Sequence, residues 1–211
     1  MSYPPEWRRT DECDDIIELV TRYPFAHLIT AKGGLKSTRI PFIMDSDNGK
    51  PVRLRGHLNG NNPQARIIDA SQLMIVFSGP STYVSPNWRT DLYRGPTFDY
   101  QEVRIHGTAS AEPGIGFFTQ LVDDLANQIE PQYSEVGDYP IWQSSMTPDG
   151  YIERLLPHVT SFTVTIESIE MISKLHQQFP KEDRQSIADH LSKSSRTESR
   201  EIAERIRQID R

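Results

Sequence analysis

The apolar positions of this chain fall at helical spacing near the N-terminus, in short alternating runs through the middle, and at helical spacing again toward the C-terminus. Thr10, followed by Asp11 and Glu12, is placed to cap a first helix, since a side-chain oxygen and early acidic groups both suit a helix N-terminus. Ile16, Leu19, Val20 and Tyr23 form its apolar stripe, and Tyr23-Pro24 ends it. Residues 26–30, 38–44, 52–58 and 73–77 then read as strands, 80–84 continues extended, and 100–109 is a longer strand with Val103, Ile105 and Gly107 on one face. Gly33-Gly34 and Asp45-Ser46-Asp47-Asn48-Gly49 are the turn signals between them. This spacing predicts an antiparallel meander closing toward a barrel.

Helical spacing returns after Pro113, where Phe118, Leu121, Val122, Leu125 and Ile129 make a core stripe. Pro148 opens a third, short helix carrying Ile152 and Leu155, and Phe162, Val164 and Ile166 alternate as a late strand. Beyond Pro180 the composition turns polar. Segment 181–211 reads as two modest amphipathic helices, the last with Ile202, Ile206 and Ile209 among Arg200, Arg205, Arg207 and Arg211. Acids interleave with these bases, which favours a helical tail packed on the barrel or on a partner subunit over a DNA-binding tail.

Composition narrows the classes. A chain of 211 residues, 36% apolar and 25% charged, buries one substantial core. The net charge of −6 lacks the broad positive field of nonspecific nucleic-acid binding, so any DNA contact is expected from a local patch only. A single cysteine, Cys13, precludes an intrachain disulfide and suits a reducing compartment. No apolar run reaches the roughly 20 residues of a membrane span, and the N-terminus lacks a basic stretch followed by an apolar block. A soluble cytoplasmic protein with no membrane contact is the expectation.

Four polar clusters could carry chemistry. The first, residues 53–64, starts on a strand with Arg53, Arg55 and His57 on one face and runs into a Gly/Asn/Pro loop containing Asn62. Two guanidiniums and an imidazole are costly to bury without an anion, and arginine grips phosphate or carboxylate oxygens in a fork. A solvated strand face with surface ion pairs is the structural alternative. The second, residues 77–88, joins Ser78, Ser81, Thr82 and Ser85 to Tyr83 and Trp88, which suits stacking on a planar ligand or anchoring a core. The third is Pro96-Thr97-Phe98-Asp99-Tyr100 with Arg104-Ile105-His106-Gly107, and the fourth is Lys174-Leu175-His176-Gln177-Gln178. The six histidines show no zinc spacing, and no dinucleotide or Walker loop is present.

In this order the clusters resemble the PaiB family, described as FMN-binding negative transcriptional regulators. The resemblance rests on the Met-Ser-Tyr-Pro-Pro start, Tyr23-Pro24-Phe25, Leu54-Arg55-Gly56-His57-Leu58 leading to Asn62-Pro63-Gln64, and Gly79-Pro80 leading to Tyr83-Val84-Ser85-Pro86-Asn87-Trp88. Pro96-Thr97 and Lys174-Leu175 extend it to about residue 180. It implies an α+β fold, an antiparallel split β-barrel like that of pyridoxamine-phosphate-oxidase-like flavoproteins, over residues 1–180, with 181–211 as a helical extension. It also implies a homodimer with cofactor sites between subunits. This chain has Phe98-Asp99 where the family has Trp-Asn, and His176-Gln177-Gln178 where it has Ser-Gln-Asn. Arg104 precedes His106 where the family often has a histidine, and Asn59-Gly60-Asn61 follows the Gly-His-Leu motif. These departures predict a specialised pocket.

The resemblance implies FMN or heme b as cofactor, since one branch of the family, the piperazate synthases, uses heme to form an N–N bond from N5-hydroxyornithine. The cofactor-contact candidates are Arg53, Arg55, His57, Asn62, Ser78, Tyr83, Ser85, Trp88 and Lys174. His57 is the axial-ligand candidate if the group is heme, and Asp99, Tyr100 or Tyr83 would handle a proton from a small-molecule substrate. Three roles remain open at this level: a cofactor-binding redox or heme protein, a piperazate-synthase-like enzyme, and a regulator without catalysis.

Overall fold

The computed structural model describes residues 5–6, 9–10, 12–90, 94–136 and 139–209. Met1–Pro4, Asp11 and Arg211, named above, lie outside the described residues. The elements in chain order are β1 (Arg9–Thr10), α1 (Cys13–Arg22), β2 (Phe25–Thr30), β3 (Lys36–Pro41), β4 (Ile43–Asp47), β5 (Lys50–Asn59), β6 (Gln72–Val84), β7 (Thr97–Ala111), α2 (Ile115–Ile129), α3 (Tyr151–Leu155), β8 (Val159–Lys174), α4 (Lys181–Ser192) and α5 (Thr197–Gln208). The strands form one sheet in the order β3-β2-β6-β7-β8-β5-β4, with β1 also on β8. The chain divides into two compact units, one of Cys13–Phe77 and Arg104–Ile169, the other of Met1–Glu12, Ser78–Val103 and Glu170–Arg211. The three long strands β6, β7 and β8 contribute residues to both.

In the first unit the predicted hairpins form. β2 pairs antiparallel with β3, and β4 with β5 around Asn48 and Gly49, both at positive φ. The single strand expected over 38–44 is instead broken into β3 and β4. Phe42 leaves the ladder, donates its N–H to Pro24 O at 3.0 Å, and turns a fully buried ring against Phe77 and Phe162, with centroids 5.8 and 6.2 Å away. Core burial of a large aromatic side chain outweighs the lost pairing. Leu28, Leu54, Leu58 and Ile75 complete this core, and α2 covers Ile43 with Leu121 and Leu125. Gly107 in β7 is required by packing, since a Cβ there would collide with the Thr165 carbonyl.

In the second unit α5 buries Ile202 and Ile206 as read from the sequence, whereas Ile209 lies exposed beyond its end. Ile187, Ala188, Leu191, Ile202, Ala203 and Ile206 bury against Val84 and Leu175, with Trp88 packed alongside. Two polar ties hold this packing. Ser199 and Thr82 share a buried hydroxyl–hydroxyl bond of 2.8 Å, and Asp183 Oδ1 accepts from both Thr90 N and Thr90 Oγ1 at 2.8 Å. Asp183 sits in the first turn of α4, so the helix N-terminus also suits its charge. Among the described residues no helix is long and apolar enough to cross a membrane.

Candidate functional site

The strand face that carries Arg53, Arg55 and His57 finds its anions within the chain. Asp45 in β4 stands opposite Arg53 in the β4–β5 register. Arg53 Nε donates to Asp45 Oδ2 at 2.6 Å. Arg55 Nε donates to the two oxygens of the same carboxylate at 3.1 and 2.9 Å, Arg55 Nη2 donates to Oδ1 at 2.8 Å, and Nη1 meets Asp124 of α2 at 2.7 Å. Burial works against ionisation of Asp45, but hydrogen bonds from Arg55 and Arg53, with their charges, outweigh it and hold the carboxyl below its ordinary value. For Arg55, burial opposes the charge and the two carboxylates more than restore it. A ligand anion at Arg55 would have to compete with two carboxylates.

His57 lies beside this pair, its ring edge-on to Phe118 at 5.5 Å. Burial pushes its imidazole below the ordinary value, and Nδ1 has no hydrogen-bond partner among the described residues. Asn62 serves the local turn. Its Oδ1 accepts from Gln64 N at 2.9 Å and its Nδ2 donates to Thr38 Oγ1 at 2.9 Å, while the buried Gln64 side chain bonds Leu28 O and Thr30 Oγ1. Asn62 and Gln64 thus tie a loop to β2 and β3.

The second unit holds a different assembly, a cavity of about 330 Å³ lined by Arg89, Arg94, Gly95, Thr97, Lys174, His176, Gln178 and Phe179. The 3-10 turn Pro86–Trp88, capped by Ser85 Oγ on Asn87 N at 3.2 Å, delivers Arg89 inward. Arg89 is 7% exposed. Its Nη2 donates to the carbonyls of Arg94 and Gly95 at 3.1 and 2.8 Å, and its Nε has no partner among the described residues. The guanidiniums of Arg89 and Arg94 lie 5.3 and 5.1 Å from the centroid of the Phe179 ring. Lys174, at the end of β8, donates to Thr97 Oγ1 and to Phe98 O.

Behind this cationic wall, His176 Nδ1 and Asp99 Oδ2 are 2.6 Å apart, with both side chains buried. His176 adopts a left-handed backbone at φ +58°, uncommon for a residue with a Cβ. Asp99 Oδ1 has no partner among the described residues. Two places where the chain departs from the pattern of the family it resembles, one in β7 and one just after β8, are therefore the two halves of one contact.

Of the sequence candidates, Lys174 lines this cavity and Asp99 stands behind it through His176. Tyr83 is 47% exposed and meets the more open Phe98 ring edge-on at 6.0 Å. Trp88 packs on α4 and stacks on His190 at 5.4 Å. Ser78 is exposed and Tyr100 half-buried. Arg53, Arg55, His57 and Asn62 are not among the residues that line this cavity. The sequence reading did not single out Arg89, Arg94 or Thr97 as ligand contacts. Their signal was present in Asn87-Trp88-Arg89 and Arg94-Gly95-Pro96-Thr97, two basic residues flanking turn formers next to the aromatic loop. Among the described residues no group of three or more His, Cys, Asp or Glu is placed to hold a metal ion.

Several solved structures share the fold. The flavocytochrome Anf3 from Azotobacter vinelandii superposes with a TM-score of 0.61 at 12% identity, covering 82% of this chain and 72% of that one. The FAD and heme binding protein from Mycobacterium smegmatis gives 0.53 at 11% identity, covering 79% and 73%. At such identities the likeness speaks for the fold alone, which is α+β with an antiparallel split barrel and peripheral helices. By sequence, the Bacillus subtilis protein named "Protease synthase and sporulation protein PAI 2" is 24% identical over 204 residues, covering 96% of this chain and 95% of that protein. An uncharacterized protein of Aspergillus fumigatus is 26% identical over 200 residues, covering 75% and 77%. A family model described as "Putative FMN-binding domain" matches residues 1–168, and with that match the chain belongs to the PaiB-type family of FMN-binding split-barrel domains.

Proposed function

We propose that this protein holds FMN, with the phosphate end of the cofactor in the cavity lined by Arg89, Lys174 and Thr97. The observation that carries the reading is Arg89. A guanidinium buried to this degree, bonded among the described residues to backbone carbonyls alone and keeping an unused Nε–H there, calls for an anion. A phosphate monoester suits it, because Arg, Lys and Thr side chains offer donors to several oxygens at once. Bound FMN supplies reversible electron transfer at its ring, while the chain's part is to grip the phosphate and orient the ring. Heme is the poorer fit. His57, its axial candidate, packs edge-on against Phe118 and is not among the residues lining the cavity. The homodimer implied by the family is part of the reading, and sedimentation at micromolar concentration should give twice the chain mass.

Titration with FMN and with riboflavin, followed by quenching of flavin fluorescence, tests the phosphate assignment. FMN should bind at least about tenfold more tightly, the share of one charge-assisted hydrogen bond. Equal affinities would overturn the reading. So would a protein that ignores both flavins and instead gives an intense Soret band with hemin.

A further inference from the structure

We propose that the first unit carries a second ligand site, for a small primary amine in its ammonium form, in a cavity walled by Glu112 and Ser161.

The cavity has a volume of about 170 Å³, and Pro113, Leu156 and Val159 complete its walls. At roughly 30 Å³ for each water-sized group, it admits about five of them. It lies within the first unit and shares no residue with the phosphate cavity of the second.

Ser161 is the residue that points to a ligand. It is 4% exposed, and its Oγ is buried with no hydrogen-bond partner among the described residues. Native folds seldom leave a buried hydroxyl in that state. The backbone fixes where the hydroxyl stands. Glu112 N donates to Ser161 O at 2.8 Å, which ties the two residues together. Side chains alternate along β8, so Ser161 and Thr163 share a face, and Thr163 Oγ1 donates to Glu112 Oε1 at 3.3 Å. Ser161 therefore presents its hydroxyl on the side of the Glu112 carboxylate. His57 is the register partner of Ser161 across the β5–β8 ladder, and its Nδ1 is likewise buried and unpartnered among the described residues. Two orphaned polar atoms thus belong to one rung of the sheet.

Charge selects the ligand class. Arg55 is the register partner of Thr163, and with Arg53 it satisfies Asp45 and Asp124. Glu112 is left over. Among the described residues it meets no cation, and its carboxylate accepts only from the Thr163 hydroxyl. A half-buried carboxylate beside an unsatisfied hydroxyl suits a group that only donates. An ammonium gives one hydrogen to Glu112 and one to Ser161 Oγ in charge-assisted bonds. Pro113, Leu156 and Val159 then cover a short alkyl chain. An anionic ligand is repelled by Glu112, and a neutral alcohol forfeits the charge.

Titration of the full chain with n-butylammonium, followed by amide NMR shifts, tests the site, with 1-butanol as the neutral control of like size. Salt at about 0.15 M screens exposed carboxylates. Butylammonium should shift the amides of Glu112 and Ser161 saturably and bind at least about tenfold more tightly than 1-butanol, the share of one charge-assisted hydrogen bond. Glu112→Gln, which keeps the size and an acceptor, should remove that preference. Ser161→Ala deletes a buried unpartnered hydroxyl, so it should not lower the urea midpoint of the free protein, yet it should weaken butylammonium binding about fivefold. Equal binding of butylammonium and 1-butanol by the wild type, or saturable shifts confined to other residues, overturns the proposal whatever the variants do. So does a butylammonium preference left intact in Glu112→Gln.

Discussion

Arg55 and Arg89 are both buried, 9% and 7% exposed, and their surroundings answer their charge in opposite ways. Arg55 in β5 is met by two carboxylates, Asp45 and Asp124, and its pairing closes on itself. Arg89 is met by two backbone carbonyls and an aromatic face, which solvate a guanidinium partly and neutralise none of its charge. The difference separates a structural arginine from one suited to a ligand. Where a fold supplies matching carboxylates, the charge is spent on holding strands and helix together. Where it supplies only dipoles in the wall of a cavity, an outside anion completes the set.

The largest test of that contrast is to remove each guanidinium. Arg55→Ala leaves Asp45 and Asp124 without their shared cation, and the stability measured by urea unfolding should fall by about 3–5 kcal/mol. Affinity for FMN, corrected for the folded fraction, should be unchanged. Arg89→Ala should do the reverse, weakening FMN binding by about 1.5–3 kcal/mol in fluorescence titration while costing about 1 kcal/mol of stability. If Arg55→Ala removed FMN binding at full stability and Arg89→Ala did not, the two roles would have to be exchanged.

A smaller effect sharpens the picture of the cavity. Asp183 holds Thr90, the neighbour of Arg89, through two bonds to one oxygen. Asp183→Asn keeps an acceptor and loses the charge, so it should cost about 1 kcal/mol of stability and weaken FMN binding by a few-fold. Unaltered FMN affinity in this variant would show that α4 does not position the arginine.

The smallest concerns pH and belongs to the first unit. Burial holds His57 below the ordinary histidine value of 6.5. The unfolded chain then takes up a proton that the folded chain refuses, so stability is complete above about 6.5 and declines as pH falls from there toward the folded value. Urea midpoints at pH 7.5 and 5.5 should differ in the wild type by more than in His57→Gln. An equal difference in the two proteins would remove His57 from the pH response.

The clusters of the sequence were legible in unequal measure. Arg53, Arg55 and His57 share a strand face as their period-two spacing requires, and for the two arginines the chain forms the ion pairs named as the structural alternative to a ligand anion. That the anion is Asp45 was concealed by the turn between β4 and β5, whose register brings position 45 opposite position 53. Lys174 was picked out by motif, but Arg89 and His176 were not among the site candidates. Nothing in the local pattern says that a residue after Trp88 and one after Leu175 line the same cavity.

By itself the sequence determined most of the elements, though Thr10, expected to cap the first helix, lies in β1 paired with Met171 instead. Helices at 13–22, 115–129 and beyond 180, and the strands between, follow from apolar periodicity and from Gly, Asn and Pro at the turns, because these signals act within a few residues. It also carried the family motifs. Tertiary structure decided the break at Phe42, where burial of one ring prevailed over strand continuity. It decided as well which charges are matched and which line a cavity. Asp99 and His176 are 77 positions apart and meet at 2.6 Å. A contact of that range depends on how β7 and the end of β8 are brought together, which no local spacing in the chain encodes.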